Sequence, residues 1–200
     1  MKRIVVGITG ASGSIYAVRL LEALIRFEAE IHLLFSGTAG KVMQYETGID
    51  ISNLAGMLTE GIAEKKFPSI IAAHENSNLF APVASGSFHT DGMIIIPCSM
   101  SCAGRIASCS GSLLLERAAD VTLKEGRKLC LAVRETPLSL VHLETLAALA
   151  RSGAVVFPAM PSFYGKPATV DDIVNSFVSR VLDSFGFRDE NFMEWGGPDV

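Results

Sequence analysis

Residues 4–24, IVVGITGASGSIYAVRLLEAL, constrain the fold more than any other stretch of the chain. Ile4, Val5, Val6 and Ile8 form a short β-branched run suited to a parallel strand covered on both faces. Gly7, Gly10 and Gly13 then mark a tight turn where a ligand can approach the backbone closely. Ala17, Leu20, Leu21 and Leu24 recur at helical spacing. A helix that begins in such a turn directs N–H groups and a partial positive charge at whatever lies above it, which suits a phosphate.

Strands and helices alternate after this opening. Strands are predicted at Glu30–Phe35, Ser69–Ala73, Met93–Ile96, Leu129–Val133 and Ala154–Phe157, the third of these stopped by Pro97. Helices are predicted at 39–47, 51–66, 101–109, 113–124 and 139–151. A last apolar stripe runs from Val170 through Val174, Phe177, Val181 and Leu182 to Phe185, and Arg180 falls off it. This alternation predicts a single α/β domain over residues 1–200, with a tail from about 188. It is a three-layer, mainly parallel, doubly wound sheet of the Rossmann or flavodoxin-like kind. Its ligand is expected above the carboxyl ends of the strands.

Composition removes several function classes. A net charge of -4 argues against a nucleic-acid binder. No stretch approaches the ~18 uninterrupted apolar residues of a membrane span, and Gly7, Thr9 and Gly10 break the only run that could imitate a signal peptide. Cys98, Cys102, Cys109 and Cys130 form no CxxC pair and read as free thiols in the cytoplasm rather than as metal ligands. Hydrophobic residues make up 49% of the chain against 19% charged, which predicts buried contacts between copies, hence a homo-oligomer.

GITGASG is not a Walker A loop, because no GK[ST] follows. A dinucleotide site wants an acidic residue at the end of the second strand, where this chain has Ser36. No tyrosine has a lysine four residues on, as reductases with this loop do. A short hydroxyl at that strand end suits a mononucleotide. Pro97-Cys-Ser-Met-Ser-Cys102 agrees: Ser99 or Ser101 can cap the next helix, and capping and phosphate binding use the same donors.

At this point the whole chain resembles the UbiX-type flavin prenyltransferases. The resemblance rests on GITGASGSIY, Ser36, Glu46-Thr47, Ala84-Ser-Gly-Ser87, Pro97-Cys98-Ser99, Glu116-Arg-Ala-Ala-Asp120, Leu123-Lys-Glu125, Val133-Arg-Glu-Thr-Pro-Leu-Ser139, Phe163-Tyr164, Arg180 and Trp195. It implies an enzyme that joins the dimethylallyl group of dimethylallyl phosphate to N5 and C6 of reduced FMN, without a metal. The product would be prenylated FMN for a UbiD-type decarboxylase, and the site would lie between subunits of a dodecamer. The alternative is an FMN-dependent decarboxylase acting directly on an aromatic or cysteine-derived acid. The sister cysteine decarboxylases carry PASANT and PxMNxxMW segments that this chain lacks.

The resemblance also implies roles. Gly10, Ala11, Ser12, Ser36, Ser99, Met100, Ser101, Cys102 and Arg134 would hold FMN, although relatives usually carry threonine at the position of Cys102. Arg117 and Lys124 lie seven residues apart on one helix face. They read either as a solvated basic face or, by resemblance, as a grip on the substrate phosphate that Tyr164 and Arg180 complete from a neighbouring subunit. Glu135 would do acid–base work, Glu46 would be a second carboxylate, and Ser12 and Lys124 would complete the catalytic set. Glu135 could instead pair with Arg134 or sit at a helix N-terminus. Ser85, Gly86 and Ser87, with Ala84 and Phe80, would form a lid over the flavin. Trp195 would close the site or anchor an interface.

Overall fold

The structure is a computed structural model and describes residues 1–60 and 71–188. One six-stranded sheet runs in the order β3-β2-β1-β4-β5-β6. The strands are β1 Arg3–Ile8, β2 Glu30–Phe35, β3 Ile71–His74, β4 Gly92–Cys98, β5 Lys128–Val133 and β6 Val155–Pro158. Every pairing is parallel. The helices are α1 Ser14–Arg26, α2 Ala39–Thr47, α3 Ile51–Glu60, α4 Met100–Ala107, α5 Leu114–Lys124, α6 Leu140–Arg151 and α7 Val170–Ser184.

The period of two along each strand divides the core into two layers. Ile4, Val6 and Ile8 pack with Leu20, Leu21 and Leu24 of α1 and with Val178, Val181 and Leu182 of α7. Val5, Met93 and Ile95 point the other way, onto Met100 and Ala103 of α4, Leu115 and Ala119 of α5, and Leu149 of α6. The buried Glu116 carboxylate takes the Arg105 guanidinium at 2.8 Å and ties α5 to α4. α6 leaves Leu140, Val141 and Leu143 exposed.

Two expectations change. β4 does not stop at Pro97 but continues to Cys98. The ladder with β5 shifts register between Ile95 and Cys98, so no partner carbonyl is left waiting for the N–H that proline lacks. The Pro97 carbonyl is itself taken by the Thr9 hydroxyl at 2.7 Å. On α7, Val170 is exposed, and the buried stripe begins only at Val174. Residues 61–66 of the helix expected over 51–66, the first residues of the strand expected at Ser69, Trp195 and all but the start of the tail from 188 lie outside the described residues.

Candidate active site

The strand order reverses between β1 and β4, so the loops after these strands diverge and open a crevice at the carboxyl edge of the sheet. Thr9 holds the two sides together. Its buried hydroxyl donates to the Pro97 carbonyl and accepts the Ser99 N–H at 2.9 Å. Gly10 lies so close to the loop after β2 that a Cβ there would overlap Thr38 Oγ1. The turn is therefore glycine by contact with its neighbour as well as by curvature.

The start of α1 already has its anion. Glu46, at the end of α2, accepts the Ser14 N–H at 2.8 Å and the Gly13 N–H at 3.0 Å. Burial works against its ionisation. Hydrogen bonds from the Ser12 side chain and from the Ser14 and Gly13 backbone outweigh that and hold its carboxyl below the usual glutamate range. In this structure the Gly13 and Ser14 donors expected to face a phosphate are taken by Glu46. Ser12 and Glu46, two of the expected catalytic residues, do meet here.

Other expected flavin contacts line the same edge. Ser36 follows β2, and its hydroxyl is buried with no partner among the described residues. Ser99, not Ser101, caps α4 by accepting the Cys102 N–H at 3.4 Å. Met100 and Cys102 turn inward, while Ser101 is exposed. The free Cys102 thiol lies beside that of Cys98, and hydrogen bonding to it together with burial raises the Cys98 thiol well above its ordinary pKa. Arg134 and Glu135 follow β5, both exposed. The Arg134 N–H donates to the Cys98 carbonyl at 3.1 Å. Burial raises the Tyr16 hydroxyl, and the nearby Arg134 charge opposes this. Glu135 accepts the N–H of Thr136 at 3.2 Å, and among the described residues it makes no ion pair with Arg134. Nor does it cap α6, which Ser139 and His142 cap reciprocally.

A second cluster lies at the opposite, amino edge. Lys124 ends α5 just before β5 begins, and Ala84–Ser87 lead into the start of β4. Arg3, the first residue of β1, donates to the His89 carbonyl at 2.8 Å and stacks on Phe88. This confirms which edge the segment occupies. Arg117 donates to the Ala84 carbonyl at 3.2 Å and pairs with Asp120 at 2.8 Å; Lys124 pairs with Glu125 at 2.5 Å. Ser85 and Ser87 share a hydrogen bond of 2.8 Å. Phe80 is 100% exposed. Arg180 sits near the end of α7, 3.7 Å from Asp183, whereas Tyr164 lies in the connection after β6. Strands of six residues separate the two edges by roughly 20 Å. One chain brings Ser12, Glu46, Ser36, Ser99 and Arg134 to the carboxyl edge and Lys124 to the amino edge, with Arg117 about two turns before it on α5, beside Ala84. It does not bring the two sets together.

Sequence reasoning missed Thr9, whose hydroxyl inside GITGASG was the available signal, and Arg127, which no motif marked. Among the described residues, no group of three metal-ligating side chains assembles, and no helix is long and apolar enough to cross a membrane.

The flavoprotein family profile matches residues 1–182. A flavin prenyltransferase UbiX of Thauera aromatica is 45% identical over 195 residues, covering 98% of this chain and 94% of the relative. A crystal structure of AnUbiX in complex with FMN and dimethylallyl pyrophosphate superposes with a TM-score of 0.90 at 40% identity, over 98% of each chain. A dodecameric FMN-dependent UbiX-like decarboxylase from Escherichia coli gives 0.89 at 42% identity, over 98% of this chain and 100% of that one. With that extent of similarity, and with the crevice where such a fold places it, the chain belongs to the flavoproteins and, among them, to the UbiX-type flavin prenyltransferases.

Proposed function

We propose that this chain transfers a dimethylallyl group from dimethylallyl phosphate to N5 and C6 of reduced FMN, making prenylated FMN for a UbiD-type decarboxylase. The observation that carries this reading is near full-length identity of 45% to a flavin prenyltransferase. The carboxyl-edge crevice fits the flavin. The partnerless Ser36 hydroxyl offers a buried polar contact, and the Ser99-capped start of α4 offers donors for a phosphate. Bound reduced FMN supplies the electron-rich nitrogen and carbon that accept the allyl group.

The chain's own residues supply charge and proton control. Arg117 and Lys124 hold the donor's phosphate through their positive charge. As the allylic C–O bond breaks, negative charge grows on that phosphate, and these fixed cations stabilise it where it develops. They do so without a magnesium ion. Tyr164 and Arg180 complete the grip. Glu135 stands exposed at the crevice, placed to take the proton lost when the ring closes. Glu46 orients Ser12 at the same rim.

The separation of the two clusters adds a quaternary condition. Because one chain carries them at opposite edges of its sheet, a working site takes the crevice of one copy and the cations of another. We therefore place the enzyme in a homo-oligomer, and the dodecameric relative supports twelve subunits. Four free cysteines support a reducing, cytoplasmic setting.

Incubating the protein with reduced FMN and dimethylallyl phosphate should yield a flavin heavier by one prenyl group in mass spectrometry. Carbon dioxide release from an aromatic acid, with no change in flavin mass, would instead identify a direct decarboxylase. A parallel incubation with the diphosphate settles the donor.

A further inference from the structure

Three cations from α5 and the turn after it address a single short loop. Arg117 donates to the Ala84 carbonyl at 3.2 Å. Arg127 donates through Nη2 to the Gly86 carbonyl at 2.7 Å and through Nη1 to the Phe88 carbonyl at 2.9 Å. Lys124 touches the loop by shape. A Cβ on Gly86 would overlap Glu125 Oε1 and lie 2.8 Å from Lys124 Nζ. The loop backbone therefore packs directly on the Lys124–Glu125 pair. At its far end the Phe88 ring is also held, under the Arg3 guanidinium at 4.5 Å and edge-on to His32 at 5.0 Å.

Arg127 differs from the other two. Both arms of its fork are committed to loop carbonyls by charge-assisted bonds, so it directs no arm toward a ligand. A lysine could hold one of these carbonyls but not both in one plane. We propose that Arg127 is a positioning residue. By fixing Gly86 and Phe88 it sets the 84–88 loop against Lys124, and so determines where the phosphate-gripping ammonium stands. This rests on the assignment of Lys124 and Arg117 to the donor phosphate. It adds a residue that touches no reacting group but acts through one that does.

The test uses the FMN-loaded assembly of the wild type, Arg127→Lys, Arg127→Ala and Gly86→Ala. Gly86→Ala keeps Arg127 and pushes the loop away from Lys124 by the added methyl, so it reproduces the effect should Arg127→Ala fold poorly. Three quantities are read: hydrogen–deuterium exchange over residues 84–88, the Kd for inorganic phosphate, and KM against kcat for dimethylallyl phosphate. We expect faster exchange in the loop but not within α5, and a Kd and KM raised about tenfold with kcat changed much less. Arg127→Lys should fall between wild type and Arg127→Ala. Unchanged loop exchange, or a loosened loop with unchanged phosphate Kd, overturns the inference. A wild type that binds phosphate but never prenylates flavin defeats the proposed function instead, while loop exchange and phosphate affinity still decide the role of Arg127.

Discussion

Glu46 changes what the opening motif does. Its carboxylate sits on the Gly13 and Ser14 N–H groups, where a helix start attracts negative charge. Replacing it with glutamine keeps the shape and removes the charge. We expect Glu46→Gln to lower stability at pH 7 by about 0.3–1 kcal/mol, the usual worth of a carboxylate at a helix start. Because the folded-state pKa of Glu46 is depressed, its contribution is present above the ordinary glutamate pKa and is lost as pH falls through the folded value. Urea midpoints of the two proteins should therefore converge in acid; a gap that persists there would show that Glu46 acts by packing. The glycine turn and its anion-seeking helix were legible from residues 4–24 alone. The identity of the anion was not, because Glu46 lies more than thirty residues downstream and only the folded chain brings it to the turn. The same holds for Arg127, whose partners are loop carbonyls that no side-chain pattern reveals.

At the scale of elements, α2 and β2 have the bounds that their periodicity predicts, Ala39–Thr47 and Glu30–Phe35. Proline misled the reading of β4 because propensity records a missing donor, while only the partner strand decides whether that donor is needed. The short β3 shows a further contact the sequence hides. His74 on β3 meets His32 on β2 at 2.8 Å, and His32 in turn meets Glu30, which Arg3 holds at 2.7 Å. A neutral His32 that donates Nε2–H to Glu30 presents Nδ1 as acceptor for the His74 N–H. Burial, then the neighbouring His32, hold His74 below the ordinary histidine pKa. An unfolded chain binds more protons than the folded one as pH falls below about 6.5. The contribution of His74 is thus present above that pH and lost as pH drops toward its folded value. The denaturant midpoint should fall between pH 7.5 and 5.5, and His74→Asn should flatten that slope. An equal slope in the variant would assign the pH dependence to another group.

The whole molecule divides its candidate chemistry between the two edges of one sheet. If one site draws on two copies, two separately inactive proteins can repair each other. Lys124→Ala and Glu135→Gln, co-expressed in equal amounts, should assemble sites in which both residues are intact, giving about a quarter of wild-type activity when subunits mix at random. Activity no higher than in either variant alone would place both residues in a single-chain site. The parallel sheet and the edge that carries its crevice could be anticipated from the alternation of elements, but the strand order and this division could not. A family motif names residues without saying which copy presents them.

Phe80, standing wholly in solvent on an isolated chain, shows what such an arrangement entails. On the proposed arrangement, a newly synthesised polypeptide carries a greasy ring in solvent and only part of the apparatus it needs. If the site is shared between copies as proposed, dilution should silence the enzyme and reassembly should restore it, so association would work as the ignition key.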